Sequence, residues 1–314
     1  MKSGFAIGID IGGTNTDMGI VNPNGECIKR MNIPTQSFTK VEDYADEIAN
    51  VIRKMLLSNN ITNIDGIGIG APNGNYFSGT IDYAPNLPFK GKIFLKQLIN
   101  ERLQTKVVLT NDANAAAYGE KIYGNAKNMN DFIIITMGTG IGSGIFVDGK
   151  LVYGHDGFAG ELGHCILFPD GRKCSCGRKG CLEQYAAARG IQQTYIELRN
   201  NNEDKGLLAD IENPSCQELS KAANEGDPLA IQTWAYTGYL LGIALSNAVA
   251  FSSPEAIFLM GGPMKAGKWL LDPLRQSFEE HLLPIYQNKI TIATSQLKEN
   301  DVAILGAAAL VYEK

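Results

Sequence analysis

The sequence predicts an α/β protein built as two related halves. Short apolar strands alternate with helical patterns along the chain, the order that produces parallel sheets flanked by helices. An imperfect echo supports the division: "DIGGTNTDMGIVNPNG" near the start and "TMGTGIGSGIFVDGK" near the middle each read as strand, Gly/Thr turn, strand and tight turn. At 314 residues the chain has material for two domains of ordinary size. Two halves that each offer a Gly-rich β-hairpin are expected to face each other across a cleft.

The elements follow in order. "FAIGIDIGGTNTDMGIVNPNGECIKR" reads as three strands joined by a Gly-rich turn and an Asn-Gly turn. Residues 41–57 place Val41, Tyr44, Ala45, Ile48, Val51, Ile52, Met55 and Leu56 on one helical face. "IDGIGIGAPNG" reads as a buried strand closing in a turn, and residues 94–103 as a helix. "KVVLTNDANAAAYGEKIYG" is a strand running directly into an Ala-rich helix. The second half repeats strand, Gly-rich turn and strand, then turns mostly helical from the cysteine segment to about Phe251. "EAIFLMGGP" and "KITIAT" supply two more strands, and "VAILGAAALVY" a final helix.

Composition narrows the function classes. Hydrophobic residues at 44% and charged residues at 19% are those of a globular protein. The formal charge of -5, with no basic block, argues against a nucleic-acid or membrane-surface binder. The N-terminus lacks a long apolar leader segment, and the most apolar helical stretch, residues 240–251, is too short to span a bilayer. A cytoplasmic protein with reduced thiols is therefore expected. Of six cysteines, Cys174, Cys176 and Cys181 crowd into eight residues, the spacing of a metal site, while Cys27, Cys165 and Cys216 read as packing residues.

Three groups of residues carry chemistry. Gly-rich turns let backbone N–H groups approach an anion closely, yet neither a P-loop nor a dinucleotide fingerprint is present, because a strand follows Gly144 where a helix would be required. Singly, "DIGGTNT" and "MGTGIGSG" read as hairpin turns; together, with Asp10 at a strand end to hold hydrated Mg²⁺, they read as a nucleotide-phosphate clamp. "GGPMK", from Gly261 and Gly262, offers a third backbone surface, against a base. Asp112 stands between a strand and a helix; its position favours an N-cap, and the alternative is a general base that accepts a proton from a substrate hydroxyl. His164, Cys174, Cys176 and Cys181 would fill all four positions around Zn²⁺, leaving none for a reacting water, so the metal is expected to be structural. The loop then forms a rigid wall that aims Glu161 and Glu183.

"GELGH" followed by "CSCGRKGCLE" closely resembles the signature of the ROK family of sugar kinases and repressors, and "DIGGTNT", "TNDANAAA" and "MGTGIGSG" resemble its other landmarks. The likeness spans about residues 5–312. It implies the actin-like ATPase (ribonuclease H-like) fold, two α/β domains around a cleft: 1–112, with the terminal helix 302–314 packing back on it, and 113–301, with the zinc-binding segment 161–183. By motif match, Asp112 becomes the catalytic base. Asn86, Asn111, Glu161, His164 and Glu183 become ligands to sugar hydroxyls, His164 serving the zinc with one ring nitrogen and the sugar with the other. Gly12, Gly13, Thr14, Asn15, Gly138, Thr139 and Gly140 would hold the phosphates of ATP, with Asp10 near Mg²⁺.

The implied activity is ATP-dependent phosphorylation of the 6-hydroxyl of a hexose, glucose first, by a homodimer. N-acetylglucosamine, N-acetylmannosamine and fructose are the alternative substrates. A transcriptional regulator of the same family is disfavoured, because Asp10 leaves no room ahead of it for a DNA-binding domain. Two departures stand out: Pro72-Asn73-Gly74 replaces a frequent Pro-Gly, and Ala187 a frequent Ser. Asn tolerates the left-handed conformation, so the turn is expected to survive.

Overall fold

The computed structural model describes residues 4–298 and 301–313; residues 1–3 of the expected first domain and residue 314 of the expected final helix lie outside them. The chain forms two compact units. Unit 1 comprises Met1–Met129, Gly144–Gly160 and Gln296–Lys314, and unit 2 comprises Asn130–Ser143 and Glu161–Ser295.

Unit 1 begins with β1 (Phe5–Ile11), β2 (Asn15–Val21) and β3 (Cys27–Pro34), an antiparallel meander. Next come α1 (Val41–Ser58), β4 (Ile64–Gly70), the short strands β5 (Gly74–Asn75), β6 (Thr80–Asp82) and β7 (Lys92–Ile93), then α2 (Leu95–Leu103), β8 (Val107–Thr110) and α3 (Asp112–Tyr123). The main sheet has the order β3-β2-β1-β4-β8, with β1, β4 and β8 parallel. One face buries Ile7, Ile9, Met18, Ile20, Ile67 and Ile69 against Tyr44, Ile48, Ile52 and Met55 of α1 and Ile99 of α2. Each such side chain contributes roughly 1.5–3 kcal/mol. The predicted face of α1 is thus the buried one, and Glu42 and Asp43 in its first turn complement the helix dipole.

The other face of the sheet receives α9 (Val302–Ala309), which also packs along α3. Contact is backbone to backbone: a Cβ on Gly8 would collide with the Ile304 carbonyl, and one on Gly68 with the Ala307 carbonyl. The sequence-based boundary at residue 112 falls inside this unit. α3 belongs to it because α3 packs on α9 and lies against Gly144, where a Cβ would come within 2.6 Å of the Ala117 Cβ.

The unit boundary near residue 144 falls within β10 (Ile141–Val147), which follows β9 (Phe132–Met137) and precedes β11 (Lys150–Leu151). Unit 2 continues through α4 (Glu183–Ala186), α5 (Ala188–Asn201), α6 (Cys216–Asn224), α7 (Pro228–Ser252), β12 (Ala256–Met260), α8 (Lys268–His281) and β13 (Thr291–Thr294). Its sheet has the order β11-β10-β9-β12-β13, again with the first strand central and parallel to the fourth and fifth. The internal echo of the sequence is therefore an echo of topology. The apolar stretch at residues 240–251 lies in α7, with Leu240, Leu241, Leu245 and Val249 buried. Among the described residues, no helix is long and apolar enough to cross a membrane. All six cysteines are free thiols.

Candidate active site and metal centre

In unit 1 the parallel strands β1, β4 and β8 end side by side, and two candidate acids sit at those ends. The register pairs Asp10 with Gly70 and Gly70 with Thr110. A Cβ on Gly70 would stand 3.6 Å from the Asp112 Cα and 4.0 Å from Asp10 Oδ1, so the missing side chain leaves the gap between the acids open. Carboxyl ends of parallel strands are where α/β folds bind ligands. Across the hairpin Asp10 also faces Asp17. Burial, then the charges of Asp112 and Asp17, push the Asp10 carboxyl up to about 7. The surrounding protein also raises the Asp112 carboxyl, although solvent still reaches the residue. A reachable carboxylate of raised proton affinity suits a general base.

The cap of α3 is Asn111, which corrects the position-based reading of Asp112. Asn111 has the extended backbone a cap requires, φ -73 and ψ 163, and its Oδ1 accepts the Asn114 N–H at 2.7 Å. Asp112 is the first residue inside the helix, where its Oδ1 accepts the adjacent Ala113 N–H at 2.8 Å. Asn111 keeps its Nδ2 to donate elsewhere.

The loop after β1 is closed by the Gly12 N–H donating to the Asn15 carbonyl at 2.9 Å, with Thr14 and Asn15 exposed. It meets Asn86: a Cβ on Gly13 would lie 2.9 Å from the Asn86 carbonyl oxygen. Gln36 Nε2 donates to the Gly13 carbonyl and, at 3.2 Å, to that of Asn86. Gln36 carries no motif and was missed by sequence reasoning. Asp17 was recoverable, since a hairpin closed between residues 12 and 15 sets 17 opposite 10. Asn73 adopts the left-handed conformation, φ 52, and donates to the Asp82 carbonyl at 3.0 Å, so the Pro-Asn-Gly turn survives.

In unit 2, Gly138, Thr139 and Gly140 form the turn between β9 and β10, closed by the Gly138 N–H donating to the Gly140 carbonyl at 2.9 Å. Gly261, at φ 111, abuts the Met137 carbonyl so closely that any Cβ would collide with it. Gly262 beside it faces open space. Glu183 starts α4, and its Oε2 accepts the Ile141 N–H at 3.1 Å. The two glycine surfaces and one acid are thereby brought together.

The four candidate metal ligands also converge. One ligand atom each of His164, Cys174, Cys176 and Cys181 lies within 4.8 Å of all the others. Cys176 Sγ and Cys181 Sγ are 3.7 Å apart, as are Cys174 Sγ and His164 Nδ1. A tetrahedral Zn²⁺ with bonds of about 2.3 Å to sulfur and 2.0–2.1 Å to nitrogen requires about 3.8 Å between sulfurs and about 3.6 Å from sulfur to nitrogen. The residues fit. With Nδ1 turned to the thiols, His164 Nε2 points to the Glu161 carboxylate, 4.0 Å away. Glu161 itself is exposed.

Comparison with known proteins bears on this geometry. The model of the ROK family matches residues 6–314. The chain belongs to the ROK family. It is 32% identical to a glucokinase of Halalkalibacterium halodurans over all of this chain and 97% of that one. It is 30% identical to the xylose repressor of Bacillus spizizenii, covering 99% of this chain and 78% of the repressor. Among solved structures, a ROK family glucokinase from Streptomyces griseus in complex with glucose and AMPPNP superposes with a TM-score of 0.80 at 32% identity, covering 98% of this chain and 99% of that one. This ROK chain has the actin-like ATPase fold, and its two sheets of matching strand order are the fold's two α/β halves.

Proposed function

We propose that the protein is an ATP-dependent hexose kinase that phosphorylates the 6-hydroxyl of glucose. One observation carries the reading: Asp10 and Asp112 flank side-chain-less Gly70 at the carboxyl ends of parallel strands, in a chain whose solved relative at 32% identity holds glucose and AMPPNP. Asp112, released from capping, accepts the hydroxyl proton as the sugar oxygen attacks the γ-phosphorus in line. The bond to the β–γ bridging oxygen breaks, and ADP leaves. Asn111 Nδ2, Asn86, Glu161, His164 Nε2 and Glu183 orient the sugar hydroxyls. The loop of Gly12, Gly13, Thr14 and Asn15 and the turn of Gly138, Thr139 and Gly140 receive the phosphates, and Gly261 and Gly262 face the base.

Asp10, with Asp17 opposite, fits Mg²⁺: the charges of Asp112 and Asp17 add to burial in raising the proton affinity of Asp10, and a divalent cation relieves that repulsion. When bound, Mg²⁺ neutralises charge on the phosphates. His164 Nδ1 and the three thiolates would hold Zn²⁺ as a structural ion, with no position left for a reacting water, and so keep Glu161 and Glu183 in place. The reading also makes the enzyme a cytoplasmic homodimer, whose mass in solution light scattering measures.

A coupled ADP-release assay with Mg-ATP across glucose, N-acetylglucosamine, N-acetylmannosamine, mannose and fructose tests the proposal. A kcat/KM for glucose at least tenfold above the others, about 1.4 kcal/mol of transition-state discrimination, is expected. Preference for an N-acetyl sugar would move only the substrate. No turnover in zinc-replete, folded protein would overturn the kinase reading. The kinship with the xylose repressor supports a sugar-responsive regulator as second reading, which sequence-specific DNA retention would reveal.

A further inference from the structure

Glu183 has two carboxylate oxygens and, within unit 2, one of them is already committed. Its Oε2 accepts the Ile141 N–H at 3.1 Å, immediately after the turn Gly138–Gly140. A Cβ on Gly140 would overlap that same oxygen, so residue 140 is kept without a side chain by the carboxylate beside it. The turn is held at two further points. The Ala188 N–H, one residue past α4, donates to the Gly138 carbonyl at 3.0 Å. Gly163 sits so close to the Ile141 carbonyl that a Cβ there would collide with it.

These three holds come from the two ends of one module. Gly163 adjoins the ligand His164, and Glu183 follows the buried ligand Cys181 by two residues. The surface of the turn stays open: Gly138 and Thr139 are exposed, and nothing lies within 4 Å of a Cβ placed on Gly138. The exit of the loop is thus rigidly seated on the metal module while its tip stays open to a ligand.

The geometry points to Glu183 as a positioning residue for the phosphate-binding turn, linking hexose binding to nucleotide binding through its two oxygens. Oε2 fixes the Ile141 amide and hence the turn; the other oxygen remains for a sugar hydroxyl. A hexose that orders Glu183 therefore also orders the turn, and by linkage each ligand strengthens the binding of the other by the same factor. This inference rests on the proposed roles of the turn and of Glu183.

The test is the dissociation constant of AMPPNP with Mg²⁺, measured by calorimetry without sugar, on zinc-replete protein whose fold is checked by circular dichroism. Glu183→Ala is expected to weaken AMPPNP at least fivefold. Glu183→Gln, which keeps an acceptor for the Ile141 N–H, is expected to stay within twofold of wild type. Gly140→Ala should weaken AMPPNP at least fivefold in the wild-type background but less than twofold further in Glu183→Ala, where the carboxylate it would strike is gone. Should Glu183→Ala not fold, Glu183→Asp, one methylene too short to reach Ile141, takes its place in the cycle. Unchanged affinity in folded Glu183→Ala, or in Glu183→Asp where it takes its place, or additive effects in the cycle, would overturn the coupling alone. Wild-type protein that binds no AMPPNP would overturn the assignment of the turn, and the inference with it.

Discussion

Asp112 and Asn111 are neighbours with divided duties, and substitution should separate them. Because Asn111 is the cap of α3, Asp112→Ala should leave the fold and melting temperature close to wild type while lowering kcat by about 10²–10⁴. Asn111→Ala should instead cost about 1 kcal/mol of stability, seen in denaturant melts, besides weakening hexose binding. Substantial turnover by folded Asp112→Ala would remove it as the base. Asp10 makes a prediction about pH. Its folded value, about 7, lies above the unfolded carboxylate value of about 4, so the folded state binds the extra proton. Below about pH 4 the group costs nothing; between about 4 and 7 ionisation destabilises the fold progressively; above 7 the cost is constant. In Mg²⁺-free buffer, Asp10→Asn should therefore gain melting temperature over wild type as pH rises from 4 to 7, then hold that gain. A difference independent of pH would mean that Asp10 is not perturbed.

At the scale of elements, two glycines decide where α9 can lie. A methyl on Gly68 would strike the Ala307 carbonyl, so α9 must shift or the strand must bend. Overpacking of this kind costs about 1–3 kcal/mol, and backbone-to-backbone contact sets Gly68→Ala at the upper end. Its melting temperature should fall several degrees, whereas alanine at Gly91, which has open space around it but sits at φ 79, should cost only its backbone strain. The metal module makes a second prediction. Elemental analysis should find one zinc per chain, lost in Cys181→Ser, whose ligand is fully buried. Chelation should lower the melting temperature and abolish turnover together, because the proposed metal would hold the segment that carries Glu161, His164 and Glu183. Full activity after zinc removal would leave the cluster without that role.

The whole molecule is assembled from segments distant in sequence. Unit 1 draws α9 from the end of the chain, where Ile304, Leu305, Leu310 and Val311 are buried. Four such side chains at roughly 1.5–3 kcal/mol each approach the entire margin of about 5–15 kcal/mol by which a domain is stable. A fragment of residues 1–129 should therefore show no cooperative melting by circular dichroism. Cooperative unfolding of that fragment would make α9 dispensable.

Much of this architecture was legible in local pattern. Period-2 and period-3.6 hydrophobicity marked β1 and α1 within a residue or two, and the repeated hairpin announced two similar halves, which are two sheets of the same strand order. The cysteine spacing pointed to the quartet that the structure brings together, since three of its residues are close in sequence and must be close in space. For Asp112 position alone favoured the cap, the place that Asn111 holds, and the role of base is what the resemblance implies. What local pattern could not supply were relations between distant residues. The pairing of Asp10 with Gly70, the bridge from Gln36 to Asn86, the seat of Gly140 on Glu183 and the return of α9 all join segments with no shared period. Sequence by itself determined which elements form and which chemistry they carry, because both depend on neighbours along the chain. Tertiary structure alone decided which of those groups meet, because strand register and backbone contact are settled by packing of the whole.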